Sequence, residues 1–446
     1  MSSGRRRSPA VTVLAVFLVL LLAGECVFLV WFVRTDILKA PAADGGDAVQ
    51  TPDVPAPATP DTPAQPETPT EPETPTEPVE PAEPEQPSEP EQPETPETPA
   101  DPTAARAQEL LATMTLEEKI CQLFVVTPEN LTGVGTATRA GETTRAALQT
   151  YPVGGIVYFA KNLESGEQTR DMIAATQSYS KLGLLICVDE EGGPVARLMD
   201  KLGTTKISAM YTYRDDGADT ARANAATIGR DILSYGFNTD FAPVADVWSN
   251  PNNTVIGKRA YSDDFSQAAE LVAAAVQGFH DAGAICTLKH FPGHGDTNED
   301  SHTSSATVTK THDELASEEW LPFASGIAAG ADMVMVGHLT VPDIDDQPAT
   351  LSRAVVTDCL RGELGFDGVV ITDSLVMEAV SGLCEPGELC VRALEAGCDL
   401  LLEPEDLEKA AAGVADAVSS GRLTEARIDE SVVRILTLKL KYGILT

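Results

Sequence analysis

Residues 289–302 hold a high density of side chains that can transfer protons or bind polar groups. They read Lys-His-Phe-Pro-Gly-His-Gly-Asp-Thr-Asn-Glu-Asp-Ser-His, with three histidines, three acidic residues and one lysine. The apolar residues 284–288 before them are typical of a buried strand. Pro292, Gly293 and Gly295 then prevent regular structure. We therefore predict that the polar residues lie at a strand end and along the loop after it, where catalytic groups often lie.

This stretch resembles the characteristic sequence of glycoside hydrolase family 3, in its β-N-acetylglucosaminidase branch. That branch carries Lys-His-Phe-Pro-Gly-His-Gly-Asp-Thr followed by Asp-Ser-His, and the present chain has both parts. The resemblance implies a retaining exo-enzyme that releases terminal β-linked N-acetylglucosamine from a carbohydrate substrate. A β-glucosidase or a phosphorolytic enzyme of the same family is the alternative. Neither a cofactor nor a metal is expected.

Asp373 is the candidate nucleophile. Retaining cleavage needs one carboxylate that attacks the anomeric carbon and one acid that protonates the leaving oxygen. Asp373 directly follows the β-branched run Val369–Thr372, so its carboxylate should project from the end of a strand. An aspartate that caps a helix after a strand fits these residues equally well. The resemblance assigns Asp373 to the family's nucleophile position, and Ser374 fits the residue that follows it.

For the acid, the resemblance implies a histidine–aspartate pair, which is an exception among glycosidases. His302 would be the general acid and base, and Asp300 would be its partner. An imidazole titrates near pH 6.5, so it can deliver a proton and later accept one near neutral pH. Asp300 would orient the ring and support its charged form. Taken alone, His302 also fits an ordinary surface histidine.

Further matches concern residues that would hold the sugar. Residues 188–197 are similar to the family's Asp-Gln-Glu-Gly-Gly-Arg-Val-x-Arg. Asp189 falls on the position that grips sugar hydroxyls, and Arg197 falls on the second arginine of that pattern. Glu190 and Pro194 replace the expected glutamine and arginine, which puts fine substrate contacts in doubt and leaves the reaction unaffected.

Two later segments add three more matched contacts. Residues 250–260 resemble the next substrate loop of the family, with Arg259 as the contact. Lys289 and His290 match the pair that touches the sugar. Residues 238–246 also fit the family, and we expect them to support the scaffold.

Two other classes of function remain open from the residues. A metal-dependent hydrolase would use a zinc site built from His290, His294, Asp296 and His302. The chain has no His-Glu-x-x-His arrangement, which disfavours this class. A non-catalytic wall-binding module on an inactive barrel would be expected to lack Asp373 or His302, and both are present.

The elements that must position these residues repeat as strand then helix. Eight apolar runs are predicted as strands, at residues 121–126, 155–158, 184–188, 239–244, 285–288, 333–336, 369–372 and 399–402. Alanine-rich helical patterns, such as residues 218–233 and 266–282, lie between most of them. This alternation favours an α/β fold, a (β/α)₈ TIM-type barrel, with a doubly wound sheet as the alternative. The resemblance independently implies a barrel and allows an atypical early strand.

Polar residues recur where these runs stop. They are Asp189, Asp246, Lys289 with His290, His338 and Asp373. Because barrel active sites are built at the C-terminal ends of the strands, we expect these residues to form one ring.

The segment before the barrel is predicted to anchor it to a membrane. A cytoplasmic N-terminus at residues 1–9 with three arginines precedes an apolar run at residues 10–33, which is long enough to cross roughly 30 Å of hydrocarbon as a helix. The run continues past Ala23 and Gly24, which favours retention over cleavage as a signal peptide. Glu25 before Cys26 disfavours lipidation. The arginines should stay inside, which places the rest of the chain outside the cytoplasm and suggests a substrate from peptidoglycan.

Residues 40–105 are predicted to form a disordered linker rich in Pro, Glu and Thr, and residues 106–446 to form the catalytic barrel. The linker contains no Lys, Arg, His or aromatic residue, so it has too little apolar surface to fold. The net charge of −37 disfavours nucleic acid as a partner. Eight cysteines are scattered without a CxxC pair; Cys384 and Cys390 lie close in sequence, but we predict no bridge. A monomer is expected.

Overall fold

The computed structural model describes residues 102–297 and 306–445. The predicted anchor at residues 10–33, nearly all of the predicted linker and the predicted pair Asp300 and His302 lie outside these residues. The first helix begins at Pro102, inside the segment predicted as linker up to residue 105. In the part of the chain that the structure describes, no helix combines the length and apolar character needed to span a membrane.

Eight parallel strands form the centre of the fold. They are β1 (Phe124–Val126), β2 (Gly155–Val157), β3 (Leu185–Val188), β4 (Thr239–Asp240), β5 (Thr287–Phe291), β6 (Met333–Val336), β7 (Val369–Thr372) and β8 (Leu401–Leu402).

The strands close into a barrel. β1 pairs with both β2 and β8, and the ladder continues through β3 to β4 and separately from β5 through β6 to β7. Single parallel bridges complete the circle: Thr239 with Ile285 and Val244 with Lys289 join β4 to β5, and Ile371 with Leu400 joins β7 to β8. Closure leaves the barrel sheet without an edge.

The predicted α/β barrel is therefore confirmed, and the alternative of a doubly wound sheet is wrong because β8 returns to β1. The early strands β1 and β2 pair in parallel like the others, so neither is atypical. One predicted strand started too early: Cys121 belongs to the helix Leu116–Gln122. That helix begins with a capping box formed by Thr115 and Glu118, a local signal that overrides the apolar run.

Helices connect the strands and pack around the barrel. They are α1 (Pro102–Leu111), α2 (Leu116–Gln122), α3 (Pro128–Thr132), α4 (Glu142–Thr150), α5 (Gly166–Tyr179), α6 (Arg197–Leu202), α7 (Ala218–Ser234), α8 (Phe265–Ala282), α9 (His312–Ser317), α10 (Leu321–Ala328), α11 (Glu378–Ser381), α12 (Pro386–Ala396), α13 (Leu407–Ser419) and α14 (Glu425–Lys441).

Shorter elements lie in the connections. A π-helix covers Ala354–Glu363. Four 3₁₀ turns cover Ala160–Asn162, Met210–Asp216, Gly257–Arg259 and Ala349–Leu351. Five short strands outside the barrel are Glu190–Gly192, Val195–Ala196, Ala306–Thr307, Leu339–Val341 and Asp345–Pro348.

The two alanine-rich helices α7 and α8 follow the predicted segments to within one residue at each end. They pack closely because Gly278 has no side chain: a Cβ there would lie 2.2 Å from the carbonyl oxygen of Arg222. Asp264 caps the start of α8, and Gly283, with a φ of 83°, ends it, as left-handed glycines commonly do. This end fixes where the chain enters β5, the strand that carries Lys289 and His290.

The strands are buried along their whole length, so the barrel interior is a packed core. The predicted strand cysteines Cys187 and Cys286 are buried, and Cys121 is buried as a residue of α2. Among the described residues, Cys384 and Cys390 are both free thiols.

Candidate active site

A cavity of about 850 Å³ opens at the C-terminal ends of the strands. Strands β2 to β8 each contribute residues that lie within the strand or directly after it: Val157, Asp189, Phe241, Lys289 with His290, Met335, Asp373 and Leu402 with Glu403. The prediction that Lys289 and His290 follow the end of their strand is wrong, because β5 continues to Phe291. Pockets of this size hold small ligands with a few well-placed polar groups. Six residues predicted from the sequence line this cavity: Asp189, Arg197, Arg259, Lys289, His290 and Asp373. Asp300 and His302 lie outside the described residues.

A buried network of charges forms one wall of the cavity. The Lys289 ammonium lies 2.9 Å from Oδ1 of Asp189 and 2.7 Å from Oε1 of Glu191. Arg259 forms a two-point ion pair with Glu191, at 2.9 Å from Nε and 2.8 Å from Nη2. Arg259 also donates to the carbonyl oxygen of Val255 at 3.1 Å. These contacts fix the cations before any substrate arrives.

The network keeps its members ionised. Burial alone would raise the pKa of Glu191, but the charges of Arg259 and Lys289 hold that pKa well below its ordinary value. Burial alone would lower the pKa of Lys289, and the carboxylates of Asp189 and Glu191 raise it instead. Glu191 is therefore an internal counter-ion for two residues that face the cavity.

Arg197 is held more loosely. Its Nη2 lies 3.7 Å from Oδ2 of Asp189, and a third of its side chain is exposed. Its buried Nε has no hydrogen-bond partner among the described residues. Arg197 thus offers a free donor at the rim, next to the carboxylate predicted to grip hydroxyls.

Asp246 holds the His290 ring from behind. Its carboxylate lies 2.7 Å from Nδ1 of His290 and accepts from the backbone N–H groups of His290 at 3.1 Å and His294 at 2.7 Å. Because an ionised carboxylate only accepts, Nδ1 carries the proton of the neutral ring. Burial would raise the pKa of Asp246, but His290 lowers it through charge and hydrogen bonding. Asp246 does not line the cavity, so it orients His290 as part of the scaffold.

Asp373 ends β7, where its backbone N–H donates to Val336 at 2.8 Å. Its Oδ1 accepts from the N–H of Ser374 at 2.7 Å. The following helix, α11, begins only at Glu378 and has Met377 as its N-cap, so the helix-cap interpretation of Asp373 is wrong. Burial would raise its pKa, whereas the charges of His290 and His338 lower it. An ionised carboxylate at this place is what a nucleophile requires.

His338, the remaining polar strand-end residue, supports the loop behind Asp373. Its Nε2 donates to the carbonyl oxygen of Ser374 at 2.9 Å, and its Nδ1 lies 2.8 Å from the hydroxyl of Thr350. The predicted ring of polar strand ends is therefore real, with Asp246 and His338 behind the cavity wall.

Two carboxylates of the cavity were not assigned from the sequence, Glu191 and Glu403. Signals for both were present. Glu191 lies two positions after Asp189, and residues two apart share a face in extended chain. Glu403 directly follows a predicted strand, the same position that identified Asp189 and Asp373.

The zinc interpretation gains no support from the ligand geometry. In the described ranges, two groups of three residues bring potential metal ligands within 4.8 Å of one another: His280, Cys286 and Asp332, and His312, Cys359 and Glu363. Neither group includes the members imagined for a zinc site. His290 instead directs Nδ1 to Asp246, and His294 directs Nδ1 to Thr297 at 2.7 Å.

The fold and the site together define a parallel α/β barrel with a polar cavity built from its strand ends. Residues 115–438 match the N-terminal domain of glycosyl hydrolase family 3. This match covers most of the chain, and the chain therefore belongs to glycoside hydrolase family 3.

Relatives in the family agree with this assignment. The chain is 36% identical over 324 residues to a protein of Pseudoalteromonas piscicida named beta-hexosaminidase A, covering 66% of this chain and 54% of that protein. It is 39% identical over 270 residues to a beta-hexosaminidase of Stenotrophomonas maltophilia, covering 59% and 80%. The chain thus spans about half of the first relative and four fifths of the second.

Solved structures show the same likeness. A family 3 beta-N-acetylglucosaminidase from Paenibacillus has a TM-score of 0.70 at 40% identity, covering 74% of this chain and 63% of that one. A beta-N-acetylhexosaminidase from Beutenbergia cavernae has a TM-score of 0.65 at 29% identity, covering 73% and 98%.

Proposed function

We propose that the chain is a retaining exo-β-N-acetylglucosaminidase. The observation that carries this proposal is the meeting of Asp373 with the Asp189–Lys289 pair at one cavity of a family 3 barrel. An ionised strand-end carboxylate supplies the attacking group, and the paired charges supply acceptors and donors for sugar hydroxyls. The names of the relatives favour a 2-acetamido sugar over a glucoside.

The reaction follows the two-step scheme of retaining glycosidases. An oxygen of Asp373 forms a bond to the anomeric carbon as the glycosidic C–O bond breaks, and the leaving oxygen takes a proton from His302. His302, now neutral, accepts a proton from water, and the water oxygen displaces Asp373 from the sugar. Asp300 would stabilise the charged ring before the first step and after the second.

The site residues divide into holding and supporting roles. Asp189, Arg197 and Lys289 hold the sugar hydroxyls, and Arg259 joins them through its fixed position on Glu191. His290 faces the sugar in the orientation set by Asp246. Because these charges are fixed in advance, binding costs little rearrangement of the protein.

The composition of the first 105 residues supports a proposal about where the enzyme is located. We propose a single membrane-spanning anchor at residues 10–33 and an extended linker that holds the barrel outside the cytoplasmic membrane, as a monomer. In that place the proposed substrate is a peptidoglycan-derived chain that ends in β-linked N-acetylglucosamine. A membrane fraction that releases the barrel only after protease treatment from outside would support this arrangement, and a secreted form that begins near Glu25 would contradict it.

The test of the activity is an assay of the full chain on aryl β-N-acetylglucosaminides whose leaving groups cover a range of pKa values. Asp373→Asn should lose at least about 1,000-fold in kcat on every substrate, because the attacking group is gone. His302→Ala should lose far more on poor leaving groups than on good ones, because protonation then contributes more of the barrier. Asp367→Asn is the matched control, since Asp367 is an exposed residue before β7, away from the cavity.

Four outcomes would change the proposed activity or the role of one of its residues. Equal or faster cleavage of the aryl β-glucoside would favour a β-glucosidase. Release of sugar 1-phosphate in phosphate buffer would favour the phosphorolytic alternative. Loss of activity in EDTA with recovery in zinc would favour a metal-dependent hydrolase. If His302→Ala loses the same factor of activity on every leaving group, His302 is not the general acid.

A further inference from the structure

Glu403 is a carboxyl group of the cavity that the proposed mechanism does not use. It follows β8 directly and lines the cavity together with Asp189 and Asp373. Its φ is 49°, and it is the one non-glycine residue with positive φ in the described part of the chain. The left-handed region is unfavourable for residues with a Cβ, and such residues concentrate at functional sites.

The surrounding structure holds this backbone conformation in place. The N–H of Glu403 donates to the carbonyl oxygen of Val125 in β1 at 2.8 Å. The N–H of Leu402 donates to the hydroxyl of Thr372 in β7 at 3.0 Å. The side chain of Asn130 donates to the carbonyl oxygen of Pro404 at 2.7 Å. Contacts on both sides thus fix the turn that directs the Glu403 side chain.

The carboxyl group of Glu403 lacks a counter-ion within the described part of the chain. None of the ion pairs formed by the described residues includes Glu403. Lys161, whose charge lowers the pKa of Glu403, lies 3.4 Å from Glu129 instead. The adjacent buried hydroxyl of Ser374 acts as a hydrogen-bond donor that lowers the pKa of Glu403, and it has no other partner within the described residues. A half-buried carboxyl without a counter-ion is costly, so its retention in a ligand cavity points to a ligand.

Burial raises the pKa of Glu403 to about 7. The Ser374 hydroxyl and the Lys161 charge act against this rise, and the carboxylates of Asp189 and Asp373 add to it. Near neutral pH the group therefore interconverts between a pure acceptor and a form that also donates. Either form suits a sugar hydroxyl or an amide.

The order of strands around the barrel places Glu403 relative to the sugar. Asp373 on β7 must face the anomeric carbon, and Asp189 on β3 lies four strands away, on the opposite side of the mouth. Glu403 on β8 is next to Asp373 in this ring. A group next to the nucleophile lies beside a substituent that flanks the anomeric carbon, on the C2 side or on the ring-oxygen and C6 side.

We propose that Glu403 is a substrate-positioning residue that hydrogen-bonds the polar substituent flanking the anomeric carbon. This inference rests on the proposed function, because it takes Asp373 as the nucleophile. In this role Glu403 selects among sugars by the group at C2 or C6 and holds the ring over Asp373. The hydrogen bond between Glu403 and this substituent would then form when the sugar binds and persist while Asp373 attacks the anomeric carbon.

The test uses two substitutions that separate the carboxyl group from the backbone. Glycine adopts a φ of 49° freely, so Glu403→Gly should fold with an unchanged or higher thermal unfolding temperature. It should nevertheless lose about 10- to 100-fold in kcat/KM on the aryl β-N-acetylglucosaminide, the range expected for a hydrogen bond to a charged group. Glu403→Gln should show a smaller loss in kcat/KM than Glu403→Gly. Glu405→Gln, at an exposed position outside the cavity, is the matched control.

Two modified substrates identify the group that Glu403 binds. The 2-deoxy and 6-deoxy analogues each lack one candidate partner, and the loss caused by Glu403→Gly should disappear on one of them only. Equal kcat/KM for wild type and Glu403→Gly, or a loss that is the same on all three substrates, would overturn the proposal. If Glu403→Gly does not fold, Glu403→Asn replaces it, since asparagine tolerates the left-handed region. Failure of the proposed function is separate: the wild type itself would then not cleave the β-N-acetylglucosaminide.

Discussion

Replacement of Lys289 by methionine tests whether the charge network of the cavity stabilises the fold as well as the substrate. The ammonium is 3% exposed and contacts both Asp189 and Glu191. At an effective dielectric constant of about 20, unit charges roughly 2.8 Å apart attract by about 6 kcal/mol. Desolvation of the buried groups offsets much of this attraction. Removal of one member of such a network typically costs about 3–5 kcal/mol.

We expect Lys289→Met to lose about 3 kcal/mol in the free energy of unfolding, near the lower limit of this range, because Glu191 keeps its two-point pair with Arg259. The thermal unfolding temperature should fall by roughly 5 °C or more. Arg197→Met is the matched control, because Arg197 also faces Asp189, but at 3.7 Å and one-third exposed. Its loss of stability should stay below about 1 kcal/mol, while kcat/KM falls in both variants.

The pH dependence gives the sharper assay. The pKa of Glu191 is lowered in the folded protein, so its stabilising contribution is present above the unfolded pKa of about 4.3 and is lost as the pH falls below that value. In Lys289→Met the pKa of Glu191 in the folded protein should be lowered less, because one of its two cationic partners is gone. The gap in unfolding free energy between wild type and variant, measured by urea denaturation, should therefore narrow from pH 7 towards pH 3. A gap that stays constant over this range, or no gap at pH 7, would refute the reasoning.

Two further predictions concern residues outside the cavity. Asp246→Asn should lower kcat/KM by roughly 10- to 100-fold, because His290 loses its charge-assisted acceptor; steady-state kinetics measure this, and unchanged kinetics would remove Asp246 from the site. Lys439 is buried with its ammonium 2.7 Å from Gln122, and burial lowers its pKa to about 7. Between pH 7 and about 10.4 the Lys439 amine is protonated in the unfolded chain and largely deprotonated in the folded one. The free energy of unfolding of the wild type, relative to that of Lys439→Met, should therefore increase with pH. Urea denaturation at pH 7 and 10 measures this change, and a decrease would contradict it.

Much of the site was predictable because residues that follow successive strands of a barrel come together at one end of it. Asp189, Lys289 and Asp373 each follow an apolar run, and parallel strands in a closed barrel end on one face. A pattern visible within five or six residues thus predicts that side chains nearly 200 residues apart in sequence lie close together in the fold. Glu403 obeys the same rule, because it directly follows the apolar run at residues 399–402.

Other features had no local pattern. Glu191 and Arg259 form an ion pair across 68 residues of sequence, and nothing near either residue indicates the other. The role of Asp246 depends on the distance to a ring 44 residues later. Both contacts follow from packing, which sequence periodicity does not encode. Cys121 differs, because the capping box of Thr115 and Glu118 that places it in a helix is a local signal in the sequence.

The charge balance of the cavity bears on the kind of ligand it accepts. Four acidic and four basic side chains line it: Asp189, Glu191, Asp373 and Glu403, and Arg197, Lys258, Arg259 and Lys289. Although the whole chain carries a net charge of −37, the cavity is close to neutral, and its two most buried cations already have carboxylate partners. An anionic ligand would have to compete with those internal partners, whereas a neutral sugar needs only hydrogen bonds from groups held in place by their mutual attraction. The neutral 2-acetamido sugar proposed as substrate therefore fits the electrostatics of the cavity.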